Sequence, residues 1–120
     1  FKSGKEIITL PITEIISKND FFDFNAKYKG ESAEITPAEI TDEVAEAVRS
    51  AAIKIYAIFN CKGIVRIDFI FDKVKNIPVM LEINTVPGQS AESLIPQQVA
   101  AMGWSLQEFY TALIETCFQK

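Results

Sequence analysis

The chain has 120 residues, 48% of them hydrophobic and 23% charged, with a net charge of −4 and no histidine. That length suits one domain burying on the order of two thirds of its unfolded surface, and the scattered basic residues exclude nucleic acid as the main partner. No apolar run reaches membrane-spanning length and no signal-peptide pattern opens the chain, so a cytoplasmic protein without membrane contact is expected.

The chain begins Phe1-Lys2-Ser3-Gly4-Lys5. Lys2 to Lys5 has the make-up of a hairpin turn, which makes Phe1 the expected end of a strand in a piece of a longer protein. Lys5 to Ile16 is β-rich, with Ile8, Leu10 and Ile12 alternating against Ile7, Thr9 and Pro11. Ser17 to Ser32 mixes Asn, Asp, Lys and Gly with Phe21, Phe22, Phe24 and Tyr28, which suits a functional loop with its own packing. Glu34-Ile35-Thr36 adds a short strand. A helix is expected over Asp42 to Phe59, capped by Thr41 with Asp42 and Glu43 in its first turn. Thr36-Pro37-Ala38-Glu39 is an alternative, earlier capping box. The helix carries an apolar stripe of Val44, Ala47, Val48, Ala51, Ile55, Ile58 and Phe59, and Gly63 follows as the stop.

Two apolar runs of period two come next, Ile64 to Phe71 and Val79 to Asn84, around a turn-like Asp72-Lys73-Val74-Lys75-Asn76. A β-hairpin folded about Lys75 sets Asp68 opposite Glu82 and Arg66 opposite Asn84, all four on one face. Val65, Ile67, Phe69, Leu81 and Ile83 form the other, core-facing side. After Pro87-Gly88, a short helix over Pro96 to Met102 ends at Gly103. The capping box Ser105-Leu106-Gln107-Glu108 then opens a helix through Phe118, with Leu106, Phe109, Tyr110, Leu113, Ile114 and Cys117 as its buried stripe. Cys61 and Cys117 read as buried free thiols in a reducing compartment, with one disulfide left open. The order β, loop, α, hairpin, α, α implies an α+β fold, an antiparallel sheet with helices packed on one side.

Two carboxylates directly opposite one another repel. A divalent cation removes the conflict, and Asp68, Glu82 and the amide oxygen of Asn84 are the hard ligands that suit Mg2+ or Mn2+. Without histidine, an ordinary zinc site is ruled out. Arg66, on the same face, can meet anionic substrate oxygens or a transition-state charge. The plainer alternative is a solvated sheet face whose charges serve solubility.

Glu82-Ile83-Asn84-Thr85-Val86-Pro87-Gly88, joined to Arg66-Ile67-Asp68, resembles the ATP-grasp enzymes, and among them the D-alanine–D-alanine ligase family. The resemblance extends to Phe21-Phe22-Asp23-Phe24-Asn25-Ala26-Lys27-Tyr28, which is similar to that family's aromatic-rich loop, and to Ser93-Leu94-Ile95-Pro96. It implies that residues 1–120 are a single domain, the C-terminal half of an ATP-grasp fold, with the family's N-terminal and central domains as missing partners. It implies ATP and two Mg2+ (or Mn2+) ions held by Asp68, Glu82 and Asn84, with Glu82 bridging. Arg66 resembles the arginine that stabilises the acylphosphate and the tetrahedral intermediate, and Gly88 the N–H donor to that intermediate's oxyanion. Ser93 and Leu94 resemble the positions that hold the acceptor's carboxylate. Lys27 would cover the ATP phosphates, and Tyr28 would contact the acceptor side. The implied reaction joins two D-alanines for peptidoglycan precursors.

Many family members follow Pro-Gly with Phe-Thr, whereas this chain has Gln89-Ser90, a difference that falls on the acceptor pocket wall. A piece carrying half the site is expected to be inactive alone, and to self-associate through an unpaired sheet edge. Two other functions compete: another ATP-grasp carboxylate–amine ligase, and a non-catalytic interaction domain that binds a cation.

Overall fold

A computed structural model describes residues 1–17 and 32–118. The expected functional loop, with Lys27 and Tyr28, lies outside the described residues. Strands β1 (Lys2–Ser3) and β2 (Glu6–Ile7) pair antiparallel about Gly4, whose φ of 64° is the left-handed conformation that glycine adopts without strain. Strands β3 (Glu14–Ser17) and β4 (Ser32–Ile35) form a second antiparallel pair. Ile8 continues the β1–β2 pairing by exchanging backbone bonds with Phe1 at 2.7 and 3.0 Å, and residues 9–13 belong to no strand among the described residues, so the expected β-rich stretch is two short strands and a joint. Pro11 lies in that joint and has no N–H to donate to a ladder.

Helix α1 (Asp42–Ile58) starts where Thr41 caps it, the hydroxyl accepting from the Val44 N–H at 3.3 Å. The earlier capping box is not used, because the Thr36 hydroxyl instead lies 2.6 Å from that of Thr13. Ala45 and Tyr56 are the buried residues of α1, and Ile58 and Phe59 are 77% and 61% exposed. The expected stripe therefore stops short of the helix end. Its members Val44 and Val48 line an open groove of about 1280 Å³ between α1, residues 8–13 and the next strand.

Strands β5 (Arg66–Asp72) and β6 (Ile77–Asn84) form the third antiparallel pair. Arg66 faces Asn84 and Asp68 faces Glu82, as the alternation predicts, but a bulge follows, because Phe69 pairs with Met80. Leu81 is the extra residue; it lines the groove with Ile67 and Phe69 but is 58% exposed, so it is not buried. The bulge also resets the turn: Asp72 pairs with Ile77, and its carboxylate accepts from the N–H groups of Val74 and Lys75 at 2.9 and 3.0 Å.

Helix α2 (Leu94–Ala101) and helix α3 (Leu106–Thr116) complete the described chain. α2 begins two residues before the predicted start. Proline is tolerated anywhere in a first turn, where the N–H has no partner inside the helix, so Pro96 marks the turn but not its first residue. Both halves of the Ser105–Glu108 capping box are formed. Of the predicted α3 stripe only Phe109 is fully buried, while Leu106, Ile114 and Cys117 are exposed. Both cysteines are free, with Cys61 half-buried rather than buried.

The core consists of Phe1, Ile95, Val99 and Phe109, ringed by Ile8, Leu10, Ile64, Trp104, Tyr110, Ala112 and Leu113. The Phe1 and Phe109 rings meet edge to face at 5.2 Å, the favoured aromatic geometry. This core anchors α2 and α3 against the β1–β2 hairpin. The architecture is α+β, with the expected antiparallel sheet present as three two-stranded ladders among the described residues. None of the described helices is long and apolar enough to cross a membrane.

Candidate active site

The polar face of the β5–β6 hairpin follows directly from strand alternation. Arg66, Asp68, Glu82 and Asn84 share one face, two residues from each strand, above the bulge. The guanidinium of Arg66 donates to both oxygens of Asp68, from Nε at 2.9 Å and from Nη2 at 3.2 Å. The same Nη2 lies 3.9 Å from Oε1 of Glu82. Arg66, expected to meet substrate oxygens or a transition-state charge, thus already offsets the repulsion between the facing carboxylates. Asn84 is oriented by its own turn, its side-chain oxygen accepting from the Val86 N–H at 3.0 Å.

The donor set fits a hard divalent cation. Two carboxylates and an amide oxygen sit on one face, with no thiolate or imidazole among them. Among the described residues no group of three or more His, Cys, Asp and Glu converges on one point. A set of two carboxylates and one amide oxygen would leave coordination positions for phosphate and water.

Downstream of Asn84 the chain turns through Pro87, which is buried, and Gly88, which is exposed. A Cβ on Gly88 would lie 2.8 Å from Ser93 Oγ, so only glycine lets the backbone and that hydroxyl approach this closely. Ser93 is the N-cap residue of α2, yet its side chain makes no cap hydrogen bond. Its hydroxyl lies instead 2.7 Å from that of Ser90, and its N–H donates to the Ser90 carbonyl at 2.9 Å. The Gln89 amide donates to the Pro87 carbonyl at 3.3 Å and accepts from the Tyr110 hydroxyl at 2.9 Å, tying the loop to α3.

The structure thus gathers Arg66, Asp68, Glu82 and Asn84 in one cluster and Gly88 beside Ser93 and Leu94 in a second, joined by residues 85–87. Gln89 and Ser90, expected only as a difference in the acceptor pocket wall, and Tyr110, expected only in a buried stripe, also take part in this region. Ser90 carries a detectable signal, a second hydroxyl three residues before an N-cap serine. The Gln89–Tyr110 bond spans 21 residues and leaves none.

A family model described as D-ala D-ala ligase C-terminus matches residues 2–115. The D-alanine–D-alanine ligase of Flavobacterium johnsoniae is 54% identical over 110 residues, covering 92% of this chain and 33% of that protein. A solved D-alanine–D-alanine ligase from Bacillus anthracis aligns with a TM-score of 0.73 at 32% identity, over 89% of this chain and 35% of that one. The same ligase complexed with ATP gives 0.72 at 29% identity, over 89% and 33%. VanG D-Ala:D-Ser ligase from Enterococcus faecalis gives 0.74 at 29% identity, over 92% and 32%. The chain spans about a third of the length of the relatives it matches. Sequence and fold agree over nearly all of it, and the chain belongs to the D-Ala–D-Ala ligase C-terminus family.

Proposed function

We propose that this chain is the metal-holding and acceptor-holding part of an enzyme that joins two D-alanines, with ATP, for peptidoglycan precursors. The observation that carries the reading is the one-faced Arg66–Asp68–Glu82–Asn84 cluster, followed at once by the Gly88–Ser93 contact. In the reaction, the γ-phosphoryl group of ATP passes to the carboxylate of one D-alanine, giving ADP and an acylphosphate. The amine of the second D-alanine then attacks the acyl carbon, loses a proton and expels phosphate.

Each residue has a role in that sequence. Asp68, Glu82 and Asn84 would hold the two Mg2+ or Mn2+ ions. Those ions supply neutralisation of phosphate charge when bound. Arg66, released from Asp68, meets the anionic oxygens of the acylphosphate and of the tetrahedral intermediate. The Gly88 N–H donates to the oxyanion as it forms. Ser93, by its hydroxyl, and Leu94, by its N–H at the start of α2, hold the acceptor's carboxylate. Lys27 over the phosphates and Tyr28 on the acceptor side complete the assignment. The partners are the further domains that make up the rest of the longer relatives, and this chain alone is expected to show little ligase activity.

The test is phosphate release by the full-length enzyme with ATP and D-alanine. Expected are D-alanine-dependent turnover and its loss in Glu82→Gln, together with loss of Mn2+-nucleotide binding. Unchanged binding in Glu82→Gln would instead favour a solvated hairpin face. A second reading, another acceptor, is favoured by two observations: the D-Ala:D-Ser ligase shares the fold, and Gln89-Ser90 departs from Phe-Thr beside the acceptor edge. Turnover with D-alanine alone, against D-alanine plus D-serine, separates the two.

A further inference from the structure

Each of the three described helices begins with a hydroxyl residue at its N-cap: Thr41, Ser93 and Ser105. Thr41 and Ser105 accept from the backbone N–H three residues on, at Val44 and Glu108, the usual capping geometry. Ser93 has no such donor, because the residue three on is Pro96, which has no N–H. Its hydroxyl lies instead at Ser90 Oγ, 2.7 Å away, and 2.8 Å from where a Cβ on Gly88 would stand.

We infer that Ser90 is a positioning residue, which together with Pro96 holds the Ser93 hydroxyl beside Gly88 in the orientation that receives the acceptor's carboxylate. The inference deepens the proposed function and rests on its assignment of Ser93. A hydroxyl has one proton to give and two lone pairs. When Ser90 donates to Ser93 Oγ, the Ser93 proton is left for a carboxylate oxygen, and a chain of two hydroxyls polarises toward the anion. The turn closed by the Ser93 N–H on the Ser90 carbonyl keeps the two side chains in register. Pro96 contributes by omission: a residue with an N–H there would draw the hydroxyl toward the helix, as happens at Thr41 and Ser105.

The experiment uses the full-length enzyme and three variants, Ser93→Ala, Ser90→Ala and Ser90→Thr. Initial rates of phosphate release over a D-alanine range, fitted with two successive D-alanine-binding steps, give the acceptor KM apart from the donor KM and from the KM for ATP. Ser93→Ala is expected to raise the acceptor KM. Ser90→Ala is expected to raise it roughly five- to tenfold, the worth of one hydrogen bond, with ATP KM and Tm unchanged. Ser90→Thr, which keeps the hydroxyl, restores the acceptor KM. A raised acceptor KM in Ser93→Ala with none in Ser90→Ala overturns the role of Ser90. So does a Ser90→Ala variant in which Tm falls and both KM values shift together, the mark of a structural role. No effect from Ser93→Ala removes the assignment of Ser93 itself, and this inference falls with it.

Discussion

In the β5–β6 hairpin three of the four candidate groups are charged, and the regular part of the ladder, from Arg66–Asn84 to Asp68–Glu82, places all four on one face. In the loop from Pro87 to Ser93 they are a glycine and two hydroxyls, placed by a turn, a helix cap and a tie to α3. The two regions suit different tasks. Full charges on a stiff ladder attract a cation and a polyphosphate over several ångströms. Neutral donors in van der Waals contact act only at hydrogen-bond range, and so discriminate shape. In the proposed reaction the hairpin therefore governs the phosphate chemistry, and the loop governs which acceptor is held and how closely.

The largest expected effect breaks the hairpin. Glu82→Gln or Asp68→Asn in the full-length enzyme should lower kcat/KM at least about a hundredfold, since several kcal/mol of charge stabilisation are removed. Steady-state rates at saturating Mg2+ check this, and a loss that excess Mg2+ fully restores would show that the carboxylates tune only affinity.

Gly88→Ala breaks the loop. The new methyl group meets Ser93 Oγ, which must rotate away, so a fall in kcat of about ten- to a hundredfold is expected, somewhat less than removal of a whole oxyanion donor. Because the hydroxyl can move, Tm should hold, and a matching collapse in Tm would mark the contact as structural.

A smaller effect lies outside both regions and serves as their control. The Tyr56 hydroxyl donates to the Gly63 carbonyl at 2.7 Å, at the exit of α1 just before β5. Burial pushes its phenol above the ordinary value, the nearby Cys61 thiol adds to the shift, and the Lys2 N–H opposes it. A folded-state pKa raised above the unfolded one means stability that is complete below about pH 10 and is lost as pH rises through the raised value. Tyr56→Phe should cost about 1 kcal/mol at pH 7 and flatten that alkaline loss, which urea denaturation at pH 7 and at high pH would reveal. An equally steep alkaline loss in the variant would assign it to another group.

The smallest effect contrasts the caps. Ser105→Ala should cost about 1 kcal/mol of stability without changing any KM, whereas Ser90→Ala should do the reverse. The same pair of measurements, Tm and acceptor KM, separates a hydroxyl that serves its helix from one that serves a site.

Much of the hairpin was legible in the chain itself. Period-two alternation puts Arg66, Asp68, Glu82 and Asn84 on one face whatever surrounds them, and the hydroxyl caps at Thr41 and Ser105 are equally local. The bulge at Leu81 was not legible, because nothing in its neighbours signals one, and the depth of burial it leaves that side chain could not be read from alternation. The buried stripes of α1 and α3 were overextended for a related reason. Periodicity shows which face of a helix is apolar, whereas the depth of burial at Ile58, Phe59 or Ile114 depends on what else reaches that face.

Local chemistry thus determined the family motif, the opposed carboxylates with their arginine and amide, and the starts of two helices, since each depends on spacings of four residues or fewer or on strand alternation. Tertiary structure decided that Arg66 also comes within 3.9 Å of Glu82 on the facing strand, that Ser93 Oγ lies 2.8 Å from where a Cβ on Gly88 would stand, and that Gln89 is held by Tyr110. Those contacts depend on side-chain rotamers and on the angle at which separate elements meet, and hydrogen bonds are sensitive to tenths of an ångström that no residue pattern encodes.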